Sequence, residues 1–259
     1  MLKNHMLAEE RKVFLLNKLL ENPFINTTEL SDLMGVSSMT IRRDLIKMER
    51  EGFCVRKHGG AIRIVQSVTK ESPYEIKRHQ HTEEKKRIAK AAIQLVENGD
   101  TLILDSGSTT YALALLLPSK EHLTVVTNDL YIAVKLAAYS NINLICTGGN
   151  ARSGIFTLQG IGVANFIKNL RVDKTFLATD ALHSDGTIAN ANIEGVPIKQ
   201  AMISAAHQVI LLVDSSKFRG RSFAKVCDIL DVDYIITDSG LDEEHRRFCD
   251  DQDVKVIIA

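Results

Sequence analysis

No run of apolar residues in the 259-residue chain approaches the roughly 18 that a membrane-spanning helix requires, so a transmembrane reading is excluded. Cysteine is scarce: Cys54, Cys146, Cys227 and Cys249 lie far apart with no CxxC pair. That spacing indicates neither a zinc site nor a disulfide framework, and a reducing cytoplasm is the expected location. The opening MLKNHMLAEERK is too polar for a signal peptide. Internal repeats and low-complexity segments are also lacking. So is net charge, since 32 Lys and Arg balance 32 Asp and Glu, and the whole-chain average points to no polyanionic partner. What is present is an ordinary globular composition, 45% hydrophobic and 25% charged, which excludes disorder. At about 150 residues per domain, the length accommodates one large domain or two modest ones.

The average conceals an asymmetry. Residues 1–66 hold 11 Lys and Arg against 8 Asp and Glu, a net +3, and the remainder carries net −3. Within 37–65 the count is 7 basic to 3 acidic, the footprint of a phosphate-backbone binder or, read alone, of a solvated face. The two regions also differ in periodicity. Residues 1–66 show helical spacing and few strand signals. From about residue 100, apolar runs at 123–128, 142–149, 172–179, 208–216, 232–238 and 254–259 alternate with helix-length segments. Such runs predict an α/β fold with a mostly parallel sheet covered on both faces. The polar stretch 67–84, with Pro73 and HQHTEEKK, reads as a linker between a head at 1–66 and a large domain at 85–259, and it leads into a helix at about 83–97.

In the head, Val13, Leu16 and Leu20 define a first helix at about 7–21. Thr28 is placed to cap a second helix that stops at Gly35, and Ser37 to cap a third that runs to about Glu51. On a wheel of 100° per residue the third helix gathers Ile41, Leu45 and Met48 into a buried stripe. Opposite lie Met39, Arg43, Lys47 and Arg50, with Arg42 on the flank. A cationic face opposite an apolar seam suits a recognition helix in the major groove. FCVRKHGGAIRI then reads as a hairpin around His58-Gly59-Gly60, a basic wing carrying Arg56, Lys57 and Arg63.

These residues carry a resemblance. SSMTIRRDLIKMEREGFCVRKHGGAI resembles the winged helix-turn-helix of the DeoR family of bacterial regulators, through Arg11, Ser37, Thr40 to Leu45 and the HGGA of the wing. The resemblance implies DNA contacts from Ser37, Ser38, Met39, Thr40, Arg42, Arg43, Lys47, Arg50, Arg56, Lys57 and His58.

In the large domain, the strand Leu102-Ile103-Leu104 runs into Asp105-Ser106-Gly107-Ser108-Thr109-Thr110 ahead of an apolar helix. Hydroxyls, a glycine and a helix start at a strand's carboxyl end suit an anion site; the bland alternative is a polar turn with its own cap. Further loops at equivalent ends, including Thr127-Asn128, Thr147-Gly148-Gly149, Thr179-Asp180 and Asp214 to Lys217, are placed to converge on one pocket. Lys217 supplies phosphate charge there or is simply a helix-start lysine in water.

The span from about 75 to 258 resembles the DeoR sugar-phosphate sensor domain through EEKKRIAKAA, LDSGSTT, VVTND, CTGG, VDSSKF and DYIITD. That implies a fold related to ribose-5-phosphate isomerase and an effector site of Asp105 to Thr110, Asn128, Gly148, Gly149, Asp180 and Lys217. The chain departs from the family at Ala178-Thr179-Asp180-Ala181-Leu182, where two glycines are usual, and around Glu194 and Lys199, which align loosely. An unusual effector is therefore expected.

Decoys fall away. Gly160-Ile161-Gly162 lacks the third glycine of a dinucleotide fingerprint, which is Asn165 here. His79 and His81 have no recognisable third metal ligand, Ser106 sits in no nucleophile elbow, and Ser215, Ser216 and Lys217 suit a phosphate contact better than a Ser–Lys nucleophile. Cys54 reads as packing. Neither a cofactor nor a metal is expected.

The expectation is a cytoplasmic repressor of a carbohydrate operon that binds operator DNA and a phosphorylated sugar as a dimer or tetramer. The rivals are a sugar-phosphate isomerase-like enzyme using Asp105 or Asp180 as base, for which no acid partner is visible, and a protein–protein module that binds no DNA. Since the linker is polar, the effector is expected to act on how the large domains associate.

Overall fold

The computed structural model describes residues 6–63, 68, 69, 71–252 and 254–259. Residues 64–67, at the wing's end and the start of the linker, and the side chains of Leu20 and Arg63 lie outside the described set. The chain forms two compact units: Met1–Gln66 with Glu75–His79, and Ser67–Tyr74 with Gln80–Ala259.

The first unit contains α1 (Ala8–Glu21), β1 (Phe24–Asn26), α2 (Thr27–Met34), α3 (Ser38–Arg50), β2 (Cys54–Lys57) and β3 (Gly60–Arg63). Its core joins Leu15, Leu16 and Leu19 of α1 to Leu30, Met34, Ile41, Leu45 and Met48, with Ile76 packed against it. The buried α3 stripe is the expected one. On α1 the expected stripe shifts: Leu15 and Leu19 are buried, whereas Val13 is only half-buried. The cap of α2 is Asn26 rather than Thr28. Asn26 is extended, and its carboxamide accepts from the Thr28 and Glu29 amides at 2.8 and 3.3 Å. Gly35 takes the left-handed C-cap with φ 63°, and Ser37 caps α3 through the Thr40 amide at 3.1 Å.

The wing has three strands, not two, in the antiparallel order β1-β3-β2. Its paired glycines play different parts. Gly59, with φ 82°, makes the turn, while Gly60 lies in β3, where a Cβ would sit 2.0 Å from the Ile25 carbonyl oxygen. Thr27 N also donates to Gly59 O at 2.8 Å, so α2 starts against the wing's turn.

After α4 (Tyr74–His79), of which only Tyr74 belongs to the second unit, that unit holds α5 (Thr82–Ala92), β4 (Thr101–Leu104), α6 (Ser108–Ala114), β5 (Leu123–Thr127), α7 (Leu130–Leu136) and β6 (Ile142–Cys146). It continues with β7 (Asn150–Ala151), β8 (Leu158–Gln159), α8 (Ile161–Lys168), β9 (Val172–Leu177), β10 (Ala181–Leu182), β11 (Thr187–Asn190) and α9 (Val196–Ala205). The last elements are β12 (Ala206–Leu212), β13 (Ala224–Asp228), β14 (Tyr234–Thr237), α10 (Glu243–Asp251) and β15 (Lys255–Ile258).

Seven strands form one sheet in the order β15-β14-β12-β9-β4-β5-β6, every pair parallel. Strand pleating sends alternate residues to opposite faces. Thus Leu102 and Leu104 enter one apolar layer and Ile103 the other, and Ile210 and Leu212 oppose Val209 and Leu211. This is the doubly covered parallel sheet that the unbroken apolar runs imply. A small antiparallel sheet, β10-β11-β13, and the β7–β8 hairpin sit beyond it. The segment read as a polar linker is more ordered than expected. It holds α4 and the start of α5, and Tyr74 is 2% exposed with its ring stacked on Tyr131 at 4.6 Å.

Gly60→Ala is expected to destabilise the first unit by about 1–3 kcal/mol, because β1 must move away to admit the methyl group. Urea denaturation of the full chain, followed by a probe in the wing, checks this; an unchanged midpoint contradicts it.

Candidate functional site

Two surfaces bring the sequence candidates together, one in each unit. On α3, Met39 is 70% exposed, and Arg42, Arg43, Lys47 and Arg50 are exposed with it. The acids of α3 and its C-cap are turned toward neighbouring elements. Asp44 takes two hydrogen bonds from Arg11 of α1, at 2.7 and 3.3 Å. Glu51 pairs with Lys12 at 2.9 Å, and Glu49 accepts from the Arg56 side chain and amide, each at 2.8 Å. These bonds from Arg56 hold the Glu49 carboxyl below its ordinary range. Among the described residues no ion pair involves Arg42, Arg43 or Arg50, and Lys47 approaches only Glu51, at 4.0 Å. The face keeps its positive charge because the negative charges beside it are already bonded. Lys57 and His58 are exposed at the wing tip, and Ser38 is half-buried. Ser37 and Thr40 share a hydroxyl contact of 2.9 Å at the helix start. Arg56, expected at the DNA, directs its guanidinium to Glu49.

In the second unit, a pocket open to solvent lies beyond the carboxyl ends of β4 and β5. Its floor is an ion pair. Asp105, 1% exposed, meets the Lys199 ammonium, 7% exposed, and accepts from the amides of Ser106 and Ala178 at 2.8 and 2.9 Å. Lys199 also donates to the Ala178 carbonyl at 2.7 Å, so one cation joins α9 to the ends of β4 and β9. Ser106 donates to Asp129 at 2.8 Å and contacts the Thr157 hydroxyl at 2.5 Å. Asn128 donates to the Leu158 carbonyl, while its buried Oδ1 has no partner among the described residues. Arg152, paired with Glu71, completes one side, and Gln159, Asn190 and Asn192 contribute amides beside Gly195 and Ile198.

Of the sequence candidates, Asp105, Ser106 and Asn128 line this pocket. Gly107 lies just behind, where a Cβ would come 2.9 Å from the Ala178 Cβ. Ser108 is half-buried; Thr109 and Thr110 are buried, and Thr110 donates to the Gly107 carbonyl at 2.8 Å. Asp180 sits one layer out and holds Asn190 and the Ala191 amide at 3.2 and 3.0 Å. Gly148, Gly149 and Lys217 lie outside the lining, Lys217 in the turn Ser215–Arg219. Sequence reasoning missed Glu71, Arg152 and the amide side chains, and gave Lys199 no role. A signal for Lys199 was available: it is the only charge in the mostly apolar helix VPIKQAMISA. Among the described residues no group of three His, Cys, Asp or Glu could hold a metal ion.

Comparison with known proteins names the pair of units. The DeoR-like helix-turn-helix domain matches residues 11–67, and the DeoR C terminal sensor domain matches residues 80–239. The chain belongs to the DeoR family. A DeoR-family relative, the uncharacterized HTH-type transcriptional regulator YulB of Bacillus subtilis, is 36% identical over 97% of this chain and 96% of its own length. The glycerol-3-phosphate regulon repressor of Escherichia coli is 34% identical over 83% of this chain and 85% of its own. Among solved structures, ribose 5-phosphate isomerase A from Methanocaldococcus jannaschii aligns with a TM-score of 0.40 at 17% identity, over 54% of this chain and 55% of that one. The cationic α3 face thus belongs to a DNA-binding transcriptional regulator, and the pocket to its sensor domain.

Asp129, behind Ser106, carries a pH signature. Burial lifts its carboxyl to about 6, against the bonds it receives from Ile132 and Ser106. A raised acid binds its proton in the native state while the unfolded chain, near 3.9, has released it. Its contribution to stability is therefore full below about pH 4 and is lost as pH rises through about 6, at up to about 1.4 kcal/mol per pH unit. Asp129→Asn keeps an acceptor for the Ile132 amide and is expected to flatten that part of the profile. Urea unfolding from pH 4 to 7 checks this, and parallel profiles for the two proteins contradict it.

Proposed function

We propose that this DeoR-family regulator is a cytoplasmic repressor of a carbohydrate-utilisation operon, and that a phosphorylated sugar bound above the Asp105–Lys199 pair controls its operator affinity. The observation that carries this reading is the composition of the pocket. Two cations, Lys199 and Arg152, each paired with a carboxylate, stand beside the Ser106 hydroxyl and the amides of Gln159, Asn190 and Asn192. A ligand with a phosphoryl group and several hydroxyls satisfies both sets, since charge-assisted bonds hold the anion and amides orient the hydroxyls. The name of the Escherichia coli relative, the glycerol-3-phosphate regulon repressor, refers to a phosphorylated polyol and agrees with that class.

Catalysis is not part of the proposal. Asp105, the carboxylate best placed for proton abstraction, accepts from two amides and an ammonium, bonds that stabilise its ionised form and weaken it as a base. Phosphorylated sugars are expected to be returned unchanged. Palindromic operators need two reading heads, so a homodimer or larger assembly is proposed.

On the DNA side, Arg43→Ala is expected to cost about 1–3 kcal/mol at a cognate operator if Arg43 reads a base edge. Lys47→Ala is expected to weaken all sequences alike and to reduce the salt slope by about one. Operator shifts over a salt series, with and without a panel of phosphorylated sugars, test both halves. Unchanged operator binding by a folded Arg42→Ala/Arg43→Ala double variant overturns the α3 assignment. Operator affinity indifferent to every phosphorylated sugar, or multiple turnover of one of them, overturns the effector assignment.

A further inference from the structure

We infer that Arg152 is an anion-binding residue of the sensor pocket and that Glu71 is a built-in competitor, its carboxylate holding the guanidinium position that a ligand's phosphoryl group takes. The inference rests on the reading that the pocket accepts a phosphorylated ligand.

Arg152 is held on a stiff frame. Its amide donates to the Thr157 carbonyl at 2.9 Å, and the Phe156 amide returns a bond to the Arg152 carbonyl at 3.0 Å. The same β7–β8 loop is tied to the start of α7: Leu158 N donates to Asn128 O at 2.7 Å, and Leu130 N donates to Phe156 O at 3.0 Å. The guanidinium is therefore presented to the cavity from a fixed backbone rather than from a mobile side of it.

Glu71 arrives from 81 positions earlier in the chain, within a segment clasped at both ends. Val68 O accepts from Phe223 N at 3.0 Å, and Tyr74 N donates to Gly154 O at 3.0 Å, with the Tyr74 ring stacked on Tyr131. Between these clasps the Glu71 side chain, 11% exposed, reaches into the cavity and pairs with Arg152, 28% exposed. A carboxylate inside a pocket for anions is unfavourable for the ligand unless it can leave. A guanidinium offers its fork to a carboxylate or to a phosphate, and a phosphate dianion carries the larger charge. Two anions cannot both occupy the fork at low cost, so binding of one displaces the other. Selectivity follows: a phosphoryl group displaces Glu71, whereas a monocarboxylate meets an equal competitor. The displaced segment continues at Glu75 into residues of the DNA-binding unit, which places the exchange on the chain that joins sensing to reading.

Inorganic phosphate, titrated calorimetrically into the full chain with acetate as control, tests the exchange. Glu71→Gln keeps the size and a neutral acceptor but removes the competing charge, and it is expected to bind phosphate at least about five-fold more tightly than the parent. Arg152→Gln is expected to lose phosphate binding, and Glu71→Gln/Arg152→Gln to match Arg152→Gln. Equal phosphate affinity in parent and Glu71→Gln, with loss in Arg152→Gln, overturns the competitor role and leaves the pocket reading intact. Phosphate binding retained by Arg152→Gln overturns the anion-binding role. No phosphate binding by any of the four proteins overturns the pocket reading and the inference with it.

Discussion

The Asp105–Lys199 ion pair is the constraint on which the sensor pocket depends. Both groups are almost fully buried, and burying two charges costs several kcal/mol each unless every lone pair and proton is satisfied. Here they are. Asp105 takes two amides and the ammonium, and Lys199 adds the Ala178 carbonyl. Breaking one partner away leaves an uncompensated charge, which typically costs about 3–5 kcal/mol. The pair thereby fixes the ends of β4 and β9 and the first turns of α9 in one arrangement. Ser106, Asn190 and Asn192 are presented to the cavity from chain segments anchored to those elements.

The same logic operates in the DNA-binding unit with the opposite outcome for the surface. Arg11, Lys12 and Arg56 come from outside α3, and each bonds one of the acids on or beside it. The exposed Arg56–Glu49 pair adds little stability, since such pairs have a median near 0–1 kcal/mol. Their effect is on the field. With Asp44, Glu49 and Glu51 neutralised locally, the charges of Arg42, Arg43, Lys47 and Arg50 face outward uncancelled, as a polyphosphate partner requires.

Much of this architecture was legible in the residues. Unbroken Val/Ile/Leu runs such as QVILLVDSS and VDYIITD argue for strands buried on both faces, and each became a strand of the parallel sheet. The Ile41/Leu45/Met48 stripe and the Ser37 cap located α3 for equally local reasons. Signals shorter than a period were lost. Phe24–Asn26 is three residues long and becomes β1 only because β3 lies beside it, and the two-residue β10 depends on β11 in the same way. The pocket was legible in part. Asp105, Ser106 and Asn128 sit at strand ends, where the chain direction alone places ligands. Glu71, Arg152 and Lys199 come from a presumed linker, a hairpin and an apolar helix, and only the closed topology brings them together. Tyr74 shows the limit most clearly: one aromatic in a polar stretch carries no periodicity, yet its ring anchors the segment that bears Glu71.

The pocket's ligand class is tested most directly by thermal unfolding of the full chain with phosphorylated sugars and with their unphosphorylated parents. A ligand that binds only the native state stabilises it by about 2.7 kcal/mol at a hundred times its Kd, enough to raise Tm by several degrees. At least one phosphorylated sugar is expected to raise Tm where its parent does not, and Lys199→Gln to abolish that rise. An equal rise with the parent sugar, or a rise retained in Lys199→Gln, contradicts an anion site built on this ion pair.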